Sequence, residues 1–421
     1  MEILSTGEKI KRSRVYKGIT LKDLCGDKIS ISKMSCIENG KVKADEDIIK
    51  YISDKIGIDF EYLLQDVYEQ IVSNLAELKK YENRNSEFEN NIKHNLEYAI
   101  DYEYYELGFE LIHLLFSYYL EENMYEKIQL IISQYYDLYQ RTNNKENTII
   151  YFRDMAKYLF KNNEYTEAIA YYSRLRELLN VEDNIDDKAL YSYLAYNEGV
   201  CYLRIRKEET AYELFSEAVK YSDNINDKYV MGNIFKYYAI ACIRLNKDQA
   251  IEYINKAYEL QKDNEVELAI SKCEYGEAYF DSGNYCKAVE EILQGVSIYP
   301  AYNRVKYVEF LNNNIEILYK HKKYNEAYEI TDKALDLAIA TDDVRLIEHV
   351  YYYKGSILKK QKRYLEAEMY MNLALDLLMK FGRKDERYNR YLEMGNMYYN
   401  LGEIKESAKY LALAMNIKKD I

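Results

Sequence analysis

The chain has 421 residues, of which 71 are Asp or Glu and 58 Lys or Arg, a formal net charge of −13. One proline, 15 glycines and 48% hydrophobic residues leave little room for sheets or flexible linkers and point to an all-α protein. No run of about 20 apolar residues could span a bilayer, no apolar stretch follows Met1–Ser5 as a secretion signal would need, and the cysteines at 25, 36, 201, 242, 273 and 286 show no paired spacing, so the expectation is a cytoplasmic protein with reduced thiols and no membrane partner.

The first 60 residues differ from the rest. They carry 12 Lys+Arg against 10 Asp+Glu, whereas the remainder carries 46 against 61, a net charge of −15. Lys9, Lys11, Arg12, Arg14 and Lys17 form a basic cluster, so only this end of the chain has the charge for nucleic acid. The pattern predicts a helix over Gly7–Tyr16, with Ile10 and Val15 inward and the basic residues outward. A second short helix follows Gly18, capped by Thr20. A third covers Ser32–Gly40 and ends at a glycine; a fourth covers Ala44–Ile56, with Ile48, Ile49, Ile52 and Ile56 on one face; a fifth ends near Leu64. Residues 1–65 therefore read as one domain and 66–85 as a linking helix. Glu38 is expected to hold a structural bond to an N-terminal basic residue.

From 86 to 421 one phrase repeats: an aromatic or aliphatic residue, two polar residues, then a small or aliphatic one. Copies include Tyr165-Thr166-Glu167-Ala168, Tyr285-Cys286-Lys287-Ala288, Tyr324-Asn325-Glu326-Ala327 and Tyr364-Leu365-Glu366-Ala367. The last residues of the eight phrases are Ile128, Ala168, Ala211, Ala250, Ala288, Ala327, Ala367 and Ser407, separated by 40, 43, 39, 38, 39, 40 and 40 residues. A fixed period of this size means stacked helix pairs, because a single pair cannot bury its own apolar face. Gly199, Gly276, Gly355 and Gly395 stand twelve before their repeat's key residue; Ala218, Ala257, Ala334, Ala374 and Ala414 stand seven after it. The only proline, Pro300, stands where a helix should stop. These positions resemble the tetratricopeptide (TPR) pattern, and the fold class expected is an all-α chain: an N-terminal helical domain followed by a right-handed α-solenoid of eight or nine TPR pairs.

No G-x-x-x-x-G-K, G-x-S-x-G or H-E-x-x-H occurs, and His94, His113, His321 and His349 make no metal-spaced cluster. The reading is not an enzyme, with no catalytic residue, cofactor or metal. The acidic pairs Asp186-Asp187 and Asp342-Asp343 fall in expected turns.

The run Gly18-Ile19-Thr20, Leu24, Ser35, Ile37-Glu38-Asn39-Gly40 and Ile56-Gly57-Ile58 resembles a Cro/C1-type helix-turn-helix, departing from it at Leu21 and Cys36. Joined to a TPR array of this length, it is similar to the RRNPP peptide-responsive quorum-sensing regulators, in particular their NprR- and PlcR-like members. The resemblance implies double-stranded DNA with a palindromic operator as partner, a homodimer, and a short secreted and re-imported signalling peptide in the concave TPR groove. Base contacts would fall to Ser30, Ile31, Ser32 and Lys33, and phosphate contacts to Arg12, Arg14, Thr20, Lys22, Lys41 and Lys43. Asn197 and Asn313 stand where an asparagine grips the peptide backbone in such receptors, with Arg204, Lys236, Glu274 and Tyr353 around them. The acidic array suggests a neutral or basic peptide. The alternative is a TPR protein whose output is protein binding, such as sequestering a response regulator, or a repressor without a peptide.

Overall fold

A computed structural model of the chain describes residues 3–81, 84–142, 144–181, 184–185 and 187–418. Apart from a two-residue strand pair, Asn180–Val181 with Asn184–Ile185, its regular structure is helical. The chain divides into two compact units, Met1–Leu178 and Leu179–Ile421.

The first unit opens with five short helices: α1 (Thr6–Tyr16), α2 (Leu21–Cys25), α3 (Ile31–Glu38), α4 (Glu46–Ile56) and α5 (Phe60–Leu64). They enclose a core of their own around Ile10, Leu24, Met34, Ile37, Ile52 and Leu63. Four of the five helix starts are set by a short polar side chain in extended backbone. Ser5 and Glu8 form a reciprocal capping box on α1, and Thr20 and Ser30 accept the N–H of Asp23 and Lys33 to open α2 and α3. One expectation fails here. Val15 is 62% exposed, because Ile10 alone already faces the core and Val15 lies on the opposite side of α1. Ile48 is half-buried at the edge of the cluster that Ile49, Ile52 and Ile56 complete.

Helix α6 (Val67–Leu78) takes the place of the linking helix, although residues 82 and 83 of that stretch lie outside the described residues. It is bolted to the N-terminus. The buried Gln70 amide accepts from the Leu4 N–H at 3.0 Å and donates back to the Leu4 carbonyl at 3.0 Å. On its other side Asn74 Nδ2 donates 2.9 Å to Asn95 Oδ1, which belongs to α7 (Ser86–Asp101).

The remaining helices alternate. The A helices are α8 (Tyr105–Glu121), α10 (Lys145–Lys161), α12 (Lys188–Arg204), α14 (Lys228–Arg244), α16 (Glu265–Asp281), α18 (Arg304–Lys320), α20 (Val344–Lys360) and α22 (Lys384–Leu401). The B helices are α9 (Tyr125–Thr142), α11 (Tyr165–Leu179), α13 (Glu208–Lys220), α15 (Ala250–Gln261), α17 (Tyr285–Ile298), α19 (Tyr324–Ile339), α21 (Tyr364–Phe381) and α23 (Ile404–Lys418). The repeated phrase is thus the opening turn of each B helix, except that α15 starts at its last residue, Ala250. Its key residue is buried in all eight copies, from Ile128 at 0% to Ala250 at 9% exposure.

Every A-to-B turn has the same backbone. One residue takes the left-handed conformation (Asn123, Asn163, Arg206, Asn246, Gly283, Lys322, Lys362 and Gly402, φ 53–84°). The N–H that follows it reaches back to the carbonyl five residues earlier, at 2.8–3.0 Å. This is the Schellman closure, which satisfies carbonyls that a helix end leaves open. Small residues then let A and B approach. A Cβ on Gly199 would sit 2.7 Å from Phe215 Cε1, and one on Gly276 2.5 Å from Ile292 Cγ1. Ala218, Ala257, Ala334, Ala374 and Ala414 are fully buried, and Pro300 directly follows the C-cap of α17. Of the acidic turn residues, Asp187 and Asp343 cap α12 and α20, Asp342 takes φ 57°, and Asp186 lies outside the described residues.

Candidate functional site

Two surfaces collect the residues singled out from the sequence. On the N-terminal body, Ser30, Ile31, Ser32 and Lys33 open α3 and are all exposed, Ile31 by 50% despite its apolar side chain. Lys33 Nζ lies 3.7 Å from Asp45 Oδ2, and both groups are open to solvent. Arg12, Thr20, Lys22, Lys41 and Lys43 are also exposed. Thr20 spends its hydroxyl on its own helix, accepting from the Asp23 N–H at 3.1 Å and donating to the Asp23 carboxylate at 2.5 Å.

The basic cluster is not an outward face. Lys9 is 1% exposed, and its ammonium donates to the carbonyls of Tyr62 and Gln65 at 2.7 and 2.9 Å, closing the end of α5. Burial lowers its pKa to about 8, against the pull of Glu69 and Asp66. Lys17 donates to the carbonyls of Ile56 and Gly57 at the end of α4. Arg14, expected on a phosphate, is instead paired inward. Its Nε and Nη2 hold both oxygens of Glu38 at 2.6 and 3.1 Å, and Nη1 donates to the Ile19 carbonyl at 2.9 Å. Glu38 therefore has the structural bond expected of it. Lys11 and Arg12 are what the cluster leaves on the exposed face of α1.

In the second unit the tenth residue of each A helix falls at one register: Asn197, Tyr237, Glu274, Asn313, Tyr353 and Glu393. Tyr237, not Lys236, is the equivalent in α14. Two adjoining cavities open along this row. The first, about 160 Å³, is lined by Leu203 and Arg204 of α12 and Arg206 just after it, by Tyr237, Ile240 and Arg244 of α14, and by Glu274 and Glu277 of α16. The second, about 390 Å³, shares Glu274 and Glu277 and adds Ile270, Tyr299, Lys306, Glu309, Phe310, Asn313 and Ile317. Tyr299 and Phe310 stack there with ring centres 4.1 Å apart.

Arg204, Glu274 and Asn313 are thus brought together, and the other three candidates are not. Lys236 is 4% exposed and lies behind the groove, its Nζ 2.9 Å from Glu274 Oε2 and 4.8 Å from the Tyr237 ring centre. Burial works to lower its pKa, but Glu274 and Tyr237 outweigh it and the pKa is raised, so the ammonium stays charged. Asn197 is half-buried and donates 2.6 Å to the Tyr193 carbonyl of its own helix, outside both cavities. Tyr353 packs on Tyr319 and His349, also outside them.

Sequence reading missed Arg206, Arg244 and Asp281. Arg206 Nη1 and Arg244 Nη2 both lie 3.0 Å from Asp281 Oδ2. Arg244 is mostly buried, and its Nε has no hydrogen-bond partner among the described residues. Arg204 is exposed and has no ion pair there either. Arg204 and Arg244 end successive A helices 40 residues apart, a coincidence that the repeat period alone could have flagged, and Arg206 stands in the turn after α12.

The molecule is thus an all-α protein of stacked helix pairs with a small helical body at its N-terminus. No family model matches the chain. It is 22% identical over 317 residues to response regulator aspartate phosphatase I of Bacillus subtilis (strain 168), spanning 71% of this chain and 74% of that protein. Among solved structures it is similar to the apo form of the quorum sensor NprR from B. thuringiensis, with 18% identity and a TM-score of 0.43 over 84% of this chain and 100% of that one. It is also similar to a Rap protein complexed with competence and sporulation factor, with 15% identity and a TM-score of 0.46 over 84% of this chain and 98% of that one.

Proposed function

We propose that the chain is a peptide-responsive transcription regulator of the cytoplasm. Its N-terminal helix-turn-helix body reads double-stranded DNA, and the groove along α12–α18 receives a short signalling peptide. The observation that carries the reading is the opening of α3. Four residues in succession, Ser30–Lys33, stand exposed at a helix start on a body with its own core. A helix presented this way can enter a major groove, with Lys33 reaching a guanine edge and Ile31 packing on a thymine methyl. Lys11, Arg12, Lys22, Lys41 and Lys43 supply phosphate contacts around it. One such body makes few contacts, so a homodimer on a two-fold-related operator is the working form. A peptide changes DNA affinity only as far as it binds one arrangement of the protein better than the other.

Selection of the full chain on random duplexes tests this: an inverted repeat should be enriched, and Lys33→Ala should blur its sequence. A second reading has one observation in its favour, the match to a protein named as a response regulator aspartate phosphatase. There the output is protein binding, and no duplex would be enriched.

A further inference from the structure

We infer that the groove selects an acidic ligand. The ligand is a short extended peptide that sets a carboxylate among Arg204, Arg206 and Arg244 and an apolar side chain against Tyr299 and Phe310. This rests on the peptide-receptor reading above and names the chemistry of its ligand.

Residues 61–421 carry a net charge of −15, but the sign reverses around the first cavity. The first cavity is lined by Arg204, Arg206 and Arg244 against Glu274 and Glu277, three cations to two anions, with Lys236 and Asp281 paired to them outside the lining. The anions are largely taken. Asp281 is shared by two guanidiniums, and Glu274 is held by the buried Lys236. Arg204 is left without a counter-ion among the described residues, and Arg244 holds a buried Nε with nothing to donate to. A carboxylate entering here meets planar N–H forks, the geometry that binds carboxylates most strongly. An incoming ammonium would find only Glu277 free and three guanidiniums opposing it. The first cavity, about 160 Å³, has room for a carboxyl-bearing group and little more.

The second cavity suits a different part of the same ligand. At about 390 Å³, with the stacked Tyr299 and Phe310 and the flanking Ile270 and Ile317, it accepts an aliphatic or aromatic side chain. Packed helices lie roughly 8–10 Å apart, and extended chain advances ~3.3 Å per residue, so one helix step corresponds to about three residues. The ligand therefore carries its carboxylate about three positions from its apolar anchor. An acidic side chain and a free C-terminus offer the guanidiniums the same chemistry.

The test exposes the full chain to heptapeptide positional libraries with free-acid or amidated C-termini and identifies retained peptides by mass spectrometry. Carboxylates should be enriched at least about tenfold, with an apolar residue about three positions away. Loss of that selection in the amidated library assigns the carboxylate to the terminus, and its persistence assigns it to a side chain. Arg204→Gln should erase the acidic selection and keep the apolar one. Arg204→Glu should turn it towards Lys and Arg; circular dichroism checks that both variants stay folded. Peptides retained without acidic selection, or acidic selection unchanged in Arg204→Gln, overturn the inference while the receptor reading stands. If the unaltered chain retains no peptide, the receptor reading fails and takes the inference with it.

Discussion

Arg14→Ala separates two roles for the basic N-terminus. The guanidinium holds both oxygens of Glu38 at 2.6 and 3.1 Å, and the Glu38 side chain is only 3% exposed. Without Arg14 that carboxylate is left buried and unpaired, and a buried pair broken from one side typically costs roughly 3–5 kcal/mol. A body of this size has on the order of 3–9 kcal/mol in total, so Arg14→Ala should leave α1–α5 mostly open. Hydrogen exchange of the full chain, followed over residues 10–64, should show protection lost there and kept in the array. Arg14→Met with Glu38→Leu should restore most of it, because no charge is then stranded. Arg12→Ala should keep full protection yet weaken binding to every duplex and flatten the salt dependence by about one unit. If Arg14→Ala keeps its protection and loses DNA affinity as Arg12→Ala does, the arginine is a phosphate contact and the reasoning is wrong.

Two further outcomes test the array. Gly199→Ala should cost about 1–3 kcal/mol, read from the urea midpoint, because the new methyl would stand 2.7 Å from the ring of the fully buried Phe215. Burial would raise the Glu89 carboxyl, but hydrogen bonds from Lys127, Lys93 and Tyr119 outweigh it and hold its pKa at about 2. A carboxyl held below its unfolded value of 4.5 stabilises fully above pH 4.5 and loses that contribution as pH falls towards 2. Glu89→Gln should therefore flatten the loss of stability over that range by on the order of 2 kcal/mol, an amount discounted for its half-exposed lysine partners.

The repeats were legible because one small buried residue per unit, Ala168 or Ala288 for instance, recurs at a nearly fixed spacing that any reader can count. The five N-terminal helices were legible through Thr20, Gly40 and the isoleucines of α4. The destinations of the charges were not. Nothing in the sequence pairs Arg14 with a glutamate 24 residues away, or shows that Lys9 caps α5 instead of facing solvent. Asn197 marked the right register, but an asparagine inside a helix can satisfy itself on the carbonyl four residues earlier, and here it does. Lys236 was misplaced by one because the A-to-B turn of that repeat is one residue shorter, with Asn246 four residues before Ala250 where the left-handed residue elsewhere stands five before the key position.

The bonds between Gln70 and Leu4 bear on how the N-terminal body can be moved. The sequence suggests a division near residue 65, yet three hydrogen bonds from Gln70 cross it, two to the Leu4 backbone and one to the Gln65 carbonyl at the end of α5. That boundary is a weld, not a hinge. Helix α6 serves as the handle of the N-terminal body, and any force on it turns the whole body by leverage instead of slackening a tether. A protein cut at residue 65 would lose the handle together with part of what keeps its blade sharp.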